Sequence, residues 1–287
     1  MPRYLPSLLL LGLLTLGGCN SLPALGPADN GVAALTGKEA KEALRLARVL
    51  RDNGRLSGAY EIYERMDQRQ QLKGVYLIEF ASVAAQVRSP RETFALYNRA
   101  REELGGNLQA MAAPQRLALC SGLARSRLAM GGAELAARDF QCALDVEPNN
   151  PQNLNGLGVA LNIQGQNQAA REAFEKALAI DPANAAATNN LALSWLASGD
   201  SARAIGLLNQ PREDREASLQ LNLALAYVLD GHDDTARRVL LQTLDPSYAE
   251  PILRDFQATR ERIANGAPLA SELLAASQRP LALAEHN

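Results

Sequence analysis

A unit of 34 residues recurs along this chain and constrains its fold more than any other feature. With residue 151 as position 1, Leu157 and Gly158 take positions 7 and 8, Gly165 position 15 and Ala170 position 20. Phe174, Ala177 and Pro182 follow at positions 24, 27 and 32. The stretch from Leu117 repeats the pattern without a gap through Leu123, Ala124, Gly131, Ala136, Phe140, Ala143 and Pro148. From Ala185 it continues as Leu191, Ala192, Gly199, Ala204 and Leu208, then departs at Pro211. From Ala217 it gives Leu223, Ala224, Gly231, Ala236 and Leu240, with Pro246 arriving early. Two more degenerate copies come first. One, from Ala40, has Leu46, Ala47, Gly54, Ala59 and Tyr63; the other, from Gly74, has Phe80, Ala81, Tyr97 and Ala100, with Arg88 where the turn glycine stands elsewhere. Extra residues around Gly105-Gly106-Asn107 separate these two from the rest.

The pattern has a direct physical reading. Small residues such as Gly158 and Ala170 stand where two antiparallel helices cross closest, and Leu157 and Phe174 fill the space beside the crossing. Gly165 supplies the tight turn between the helices. Pro182 ends the second helix, because the residue before proline is pushed out of helical geometry. Hydrophobic residues make up 47% of the chain but aromatics only 5%, a composition suited to closely approaching helices and poor for a large sheet.

These positions resemble the tetratricopeptide repeat. The resemblance implies an all-α fold: a right-handed superhelix, or α-solenoid, of about six helical pairs. Ser247 to Asn265, with Ile252, Leu253, Phe256 and Ile263 on one stripe, is expected as a terminal capping helix. The solenoid with its cap is expected over residues 38–265, followed by a loose tail over 266–287, with a short helix around Ser271 to Ser277 as the alternative within it.

The first residues point to export. Arg3 precedes an apolar run from Leu5 to Leu16, which is too short to span a bilayer as a helix, where ~20 residues are needed. Leu16-Gly17-Gly18-Cys19 resembles the bacterial lipobox. Residues 1–18 are then a signal peptide, Cys19 receives the lipid, and residues 19–37, rich in Pro, Gly and Ala, form a tether. Acyl chains contribute ~0.8 kcal/mol per buried CH₂ to anchoring. Asn20 after the cysteine, rather than aspartate, resembles the sorting pattern for the outer membrane, so the expected place is its periplasmic face.

The segments Asn189-Asn190-Leu191-Ala192-Leu193-Ser194 and Leu221-Asn222-Leu223-Ala224-Leu225-Ala226-Tyr227 go beyond a generic repeat. With the lipobox and the short unit from Ala217, they resemble the TadD family of lipoproteins in tight-adherence (Tad/Flp) pilus assembly. That resemblance implies a non-enzymatic assembly factor whose protein partners are pilus or secretin components. An adaptor for peptidoglycan enzymes or another envelope complex is the alternative within the same scaffold.

In tetratricopeptide stacks the first helices line a concave groove through positions 2, 5, 6, 9, 12 and 13. Here that set includes Arg125, Asn155, Asn162, Asn189, Asn190, Leu193, Asn222 and Leu225. Asparagine both donates and accepts, so a ladder of them can hold the backbone of an extended segment, with Leu193 and Leu225 offering apolar pockets. The same asparagines could instead satisfy polar groups between repeats. Trp195 and Tyr227 read as core.

Other chemistries find little support. His232 and His286 lack a second His or Cys at ligand spacing, so no metal and no cofactor are expected. Gly156-Leu157-Gly158 lacks a third glycine and falls within a repeat helix rather than in a dinucleotide loop. Removing Arg3 with the signal takes the net charge from −2 to −3, and no long basic run appears, so nucleic acid is not an expected partner. Cys120 and Cys142 fall at positions 4 and 26 of one unit, at similar heights on antiparallel helices. They are either a disulfide or two small buried thiols.

Overall fold

The structure, a computed structural model, describes residues 37–210 and 216–269, with 272, 273 and 276. The expected signal peptide, Cys19 and nearly all of the tether lie outside these residues. Thirteen α-helices and one 3-10 turn, Leu108–Ala110, make up the regular structure described, with no strand among the described residues. Six antiparallel pairs follow the repeat: α1 (Lys38–Asp52) with α2 (Leu56–Gln68), α3 (Val75–Val87) with α4 (Pro90–Glu103), and α5 (Ala113–Ala129) with α6 (Ala133–Leu144). Next come α7 (Pro151–Ile163) with α8 (Asn167–Ile180), α9 (Ala185–Ala197) with α10 (Ser201–Leu208), and α11 (Ala217–Leu229) with α12 (Asp233–Leu240). After the pairs, α13 (Pro246–Ala264) packs on α11 and α12. This is the α-solenoid architecture that the repeat predicts. Contacts divide the chain into two compact units, one ending at Leu157 and one from Gly158, so the division falls inside α7.

Turn glycines at the repeat's position 15 adopt left-handed backbone, with φ of 71° at Gly54, 84° at Gly131 and 82° at Gly199. The second pair solves its turn differently. Arg88 is extended, Ser89 and Glu92 form a reciprocal capping box, and Pro90 opens α4.

In the N-terminal unit, aromatic rings sit directly on helix glycines. A Cβ built on Gly122 would lie 2.2 Å from the Tyr97 ring, and one on Gly156 would lie 2.3 Å from Phe140. Tyr97 and Phe140 occupy position 24 of one repeat, and Gly122 and Gly156 occupy position 6 of the next. The ring of one second helix therefore seats on the next first helix. Phe80 slots in the same way against Tyr60 and Tyr63 of the preceding α2, at 5.3 and 5.9 Å between ring centres.

Polar contacts fix the register of the same helices. Glu79 on α3 is 4% exposed; it accepts from Arg48 Nε at 2.8 Å and Nη2 at 2.5 Å, and from the Tyr63 hydroxyl at 3.0 Å. Burial is the main cause that holds the Tyr63 hydroxyl above the ordinary tyrosine range. Asp139 pairs with Arg127; burial pushes its carboxyl upward, and the guanidinium opposes that shift. Cys120 on α5 and Cys142 on α6 are joined by a disulfide, with Cα atoms 5.8 Å apart. Closing a loop of this length contributes ~3 kcal/mol.

The C-terminal unit uses the same devices. A Cβ on Gly158 would meet the Phe174 ring at 2.4 Å. Ala249, Ile252, Leu253 and Phe256 of α13 are buried against α11 and α12, while Ile263 is half-buried. Arg260 clamps this cap to the rest. It donates to Asp233 Oδ1 and Oδ2 at 2.6 and 3.0 Å and to the Val228 carbonyl at 2.8 Å. These hydrogen bonds, Arg260 foremost, hold the Asp233 carboxyl below the usual carboxylate range. Beyond Gly266, Leu273 and Ala276 are helical and buried in the same cluster, within the stretch where a short helix is the alternative to a loose tail. Glu272 pairs with Arg262 at 2.8 Å.

Three stability outcomes follow. Gly156→Ala should lower stability by ~2 kcal/mol, since the buried Phe140 ring cannot yield and overpacking outweighs the gain in helix propensity. Gly206, exposed inside α10 with nothing within 4 Å of its virtual Cβ, should do the opposite: Gly206→Ala should raise stability by ~1 kcal/mol. Chemical denaturation of both variants checks the pair, and equal signs would contradict the seating. Glu79→Ala should cost ~3 kcal/mol in the same assay, because it strands Arg48 and the Tyr63 hydroxyl.

Candidate interaction face

The first helices carry the candidate interaction face, and a concavity opens on it at α1. Lys41, Leu44, Arg45, Arg48, Val49, Asp52 and Tyr76 line a cleft of about 450 Å³ between α1 and the start of α3. Five of the α1 residues are positions 2, 5, 6, 9 and 13 of the first repeat, and Val49 is position 10. They are groove positions that the sequence reading applied to later repeats but not to this degenerate one. Lys41, Arg45 and Val49 are exposed, Arg48 and Tyr76 are half-buried, and Leu44 lies mostly beneath them. The buried Glu79 holds the Arg48 guanidinium from behind, and this pair raises the arginine further above its ordinary range. Arg48 is thereby fixed in position at the cleft.

The residues expected to line the groove divide into three groups. In the N-terminal unit, Arg125 is half-buried beside the Tyr97 hydroxyl, whose ionisation burial opposes. Asn155 is 7% exposed. In the C-terminal unit, Asn162, Asn189 and Asn190 are half-buried on the first helices, and Asn222 is 6% exposed. Asn222 Nδ2 donates to Asn189 Oδ1, so this part of the ladder ties α11 to α9. It thus serves at least the polar link between repeats that was the second reading of these asparagines.

Leu193 and Leu225 do not offer apolar pockets; they are 4% and 0% exposed, inside the core. The physical reason is that α9 and α11 pack side by side, so position 9 fills the seam between them. Trp195 is half-buried and flanked by two guanidiniums, with Arg171 Cζ 4.4 Å and Arg203 Cζ 4.3 Å from its ring centre. Its edge also meets the cluster containing Leu191 and Phe174. Tyr227 is half-buried and meets His232 edge-on at 6.4 Å.

Among the described residues, no group of three or more His, Cys, Asp or Glu is placed to hold a metal ion. No helix among them is long and apolar enough to cross a membrane. The lipid-accepting Cys19 expected from the sequence lies outside the described residues.

Comparison with known proteins bears on the fold and the repeat. Two tetratricopeptide repeat family models match, over residues 122–185 and 161–218. A crystal structure of a tetratricopeptide repeat protein from Parabacteroides merdae is similar, with a TM-score of 0.57 at 16% identity, over 84% of this chain and 100% of that one. So is the Cut9-Hcn1 hetero-tetramer structure, with a TM-score of 0.57 at 19% identity, over 82% of this chain and 42% of the other. Pseudomonas aeruginosa pilF aligns with a TM-score of 0.50 at 18% identity, over 69% of this chain and 95% of that one. At such identities these likenesses show the fold alone. A mouse (Mus musculus) FK506-binding protein-like sequence is 37% identical over 78 residues, which is 27% of this chain and 22% of that relative. The local matches, the helices among the described residues and the glycine-seated pairs agree: residues 122–218 match tetratricopeptide repeats, within an α-solenoid fold.

Proposed function

We propose that the chain is a non-enzymatic scaffold, anchored by lipid at Cys19 to the periplasmic face of the outer membrane. In this reading it holds segments of client proteins along its first helices and assists assembly of a Tad/Flp-type pilus or its secretin. The observation that carries the reading is the cleft at α1, built from the repeat positions that face the groove in tetratricopeptide stacks. The Cys120–Cys142 disulfide supports the compartment, because such bonds persist in oxidising environments such as the periplasm. The lipobox-like Leu16-Gly17-Gly18-Cys19 supports the anchor, and the asparagine-rich first helices around Asn189 and Asn222 support the pilus family.

Deleting the gene should abolish surface pili or secretin multimers, and a Cys19→Ser copy should fail to restore them while losing its place in the outer-membrane fraction. Normal pili in the deletion would overturn the assembly role. Recovery of a peptidoglycan enzyme from crosslinked membranes, in place of pilus parts, would assign the scaffold to the other client class.

A further inference from the structure

The charges around the α1 cleft do not cancel. Lys41, Arg45, Arg48 and Arg51 stand against Glu42, Asp52 and Glu79. Arg48 is committed to Glu79. Arg51 is held by Asp52 at 2.8 Å, with Glu79 at 3.8 Å. Arg45 pairs with Glu42 at 2.5 Å, but this pair lies one helical turn apart at the open surface, where water and other anions compete for it. Lys41 has no acid within ion-pair distance among the described residues. Among the described residues one cation is thus uncompensated, and a second is held only by an exchangeable partner.

Directly beside these cations is apolar surface. Val49 is 44% exposed, Leu44 lies beneath it, and the Tyr76 ring faces them from α3. A site with cations at its mouth and an aliphatic–aromatic wall discriminates by charge and by shape together. An extended chain presents residues i and i+2 on the same side, ~7 Å apart, so one strand can address both parts at once.

Building on the scaffold reading above, we propose that this cleft takes an extended client segment carrying a carboxylate side chain two residues from a bulky aliphatic one. The carboxylate meets Lys41 and displaces Glu42 from Arg45; the aliphatic side chain packs on Val49 and Tyr76. Basic segments are rejected by the same cations.

The test uses the full chain and three labelled peptides in a Gly/Ser background, read by fluorescence anisotropy. One carries Glu and Leu two positions apart, the second Lys and Leu, and the third Glu and Ser. The Glu–Leu peptide should bind best, with each control weaker by about tenfold. Lys41→Glu should weaken the Glu–Leu peptide by about tenfold, and Glu42→Gln, which frees Arg45, should strengthen it by about two- to threefold. Circular dichroism should show both variants folded, since these side chains are exposed and outside the core. Raising the salt should weaken binding. Equal binding of the Lys–Leu peptide, a silent Lys41→Glu, or no binding by any peptide would overturn the chemistry proposed here. A silent Lys41→Glu with Leu-dependent binding retained would leave the scaffold reading standing, and pilus loss in the deletion strain tests that reading separately.

Discussion

Close approach of helices through missing side chains is the constraint on which this protein depends. A helix glycine with an aromatic ring pressed onto its backbone lets two axes come nearer than any other residue permits. The chain uses that contact at Gly122 with Tyr97, at Gly156 with Phe140 and at Gly158 with Phe174. Each ring is almost fully buried, so it has nowhere to retreat. Alanine carries the same logic elsewhere: Ala47, Ala81, Ala124, Ala192 and Ala224, all at position 8, are fully buried.

Packing alone leaves helices free to slide, and a sparse set of polar contacts removes that freedom. Glu79 ties α3 to α1 and α2, Asp139 ties α6 to α5, Asn222 ties α11 to α9, and Asp233 holds the cap through Arg260. Each contact joins a hydrogen-bonding group to a partner across a helix boundary, so a slip by one turn would leave buried polar atoms unmet. The Glu79 contact also reaches the surface, because its partner Arg48 forms part of the α1 cleft. Here a device that orders the core also positions the face proposed to meet a partner.

The repeat frame was legible because its signals are short-range and chemical: a glycine in left-handed backbone, a proline that stops a helix, small residues at a crossing. The helical pairs follow from those residues, and the capping helix follows from the apolar stripe of Ile252, Leu253, Phe256 and Ile263. The interaction face was less legible. Leu193 and Leu225 occupy groove positions by count, yet neighbouring first helices close over them, and that depends on how tightly adjacent repeats nest. The ring on Gly156 was missed for a related reason, since Phe140 belongs to the preceding repeat. The α1 cleft is legible in principle, because Lys41, Leu44, Arg45, Arg48 and Asp52 stand at the same counted positions, though in a degenerate repeat. The Ser89–Glu92 capping box was also readable from its spacing, and it explains how Arg88 can replace a turn glycine.

Everything proposed for this protein requires that the first-helix face, led by the α1 cleft, meets a protein. Photocrosslinking in living cells tests it most directly, with a photoreactive residue placed at Arg45 in the cleft or at the exposed Glu61 on α2. The account predicts a discrete protein adduct from position 45 and none from position 61. Adducts of equal yield from both positions, or from neither, would contradict it.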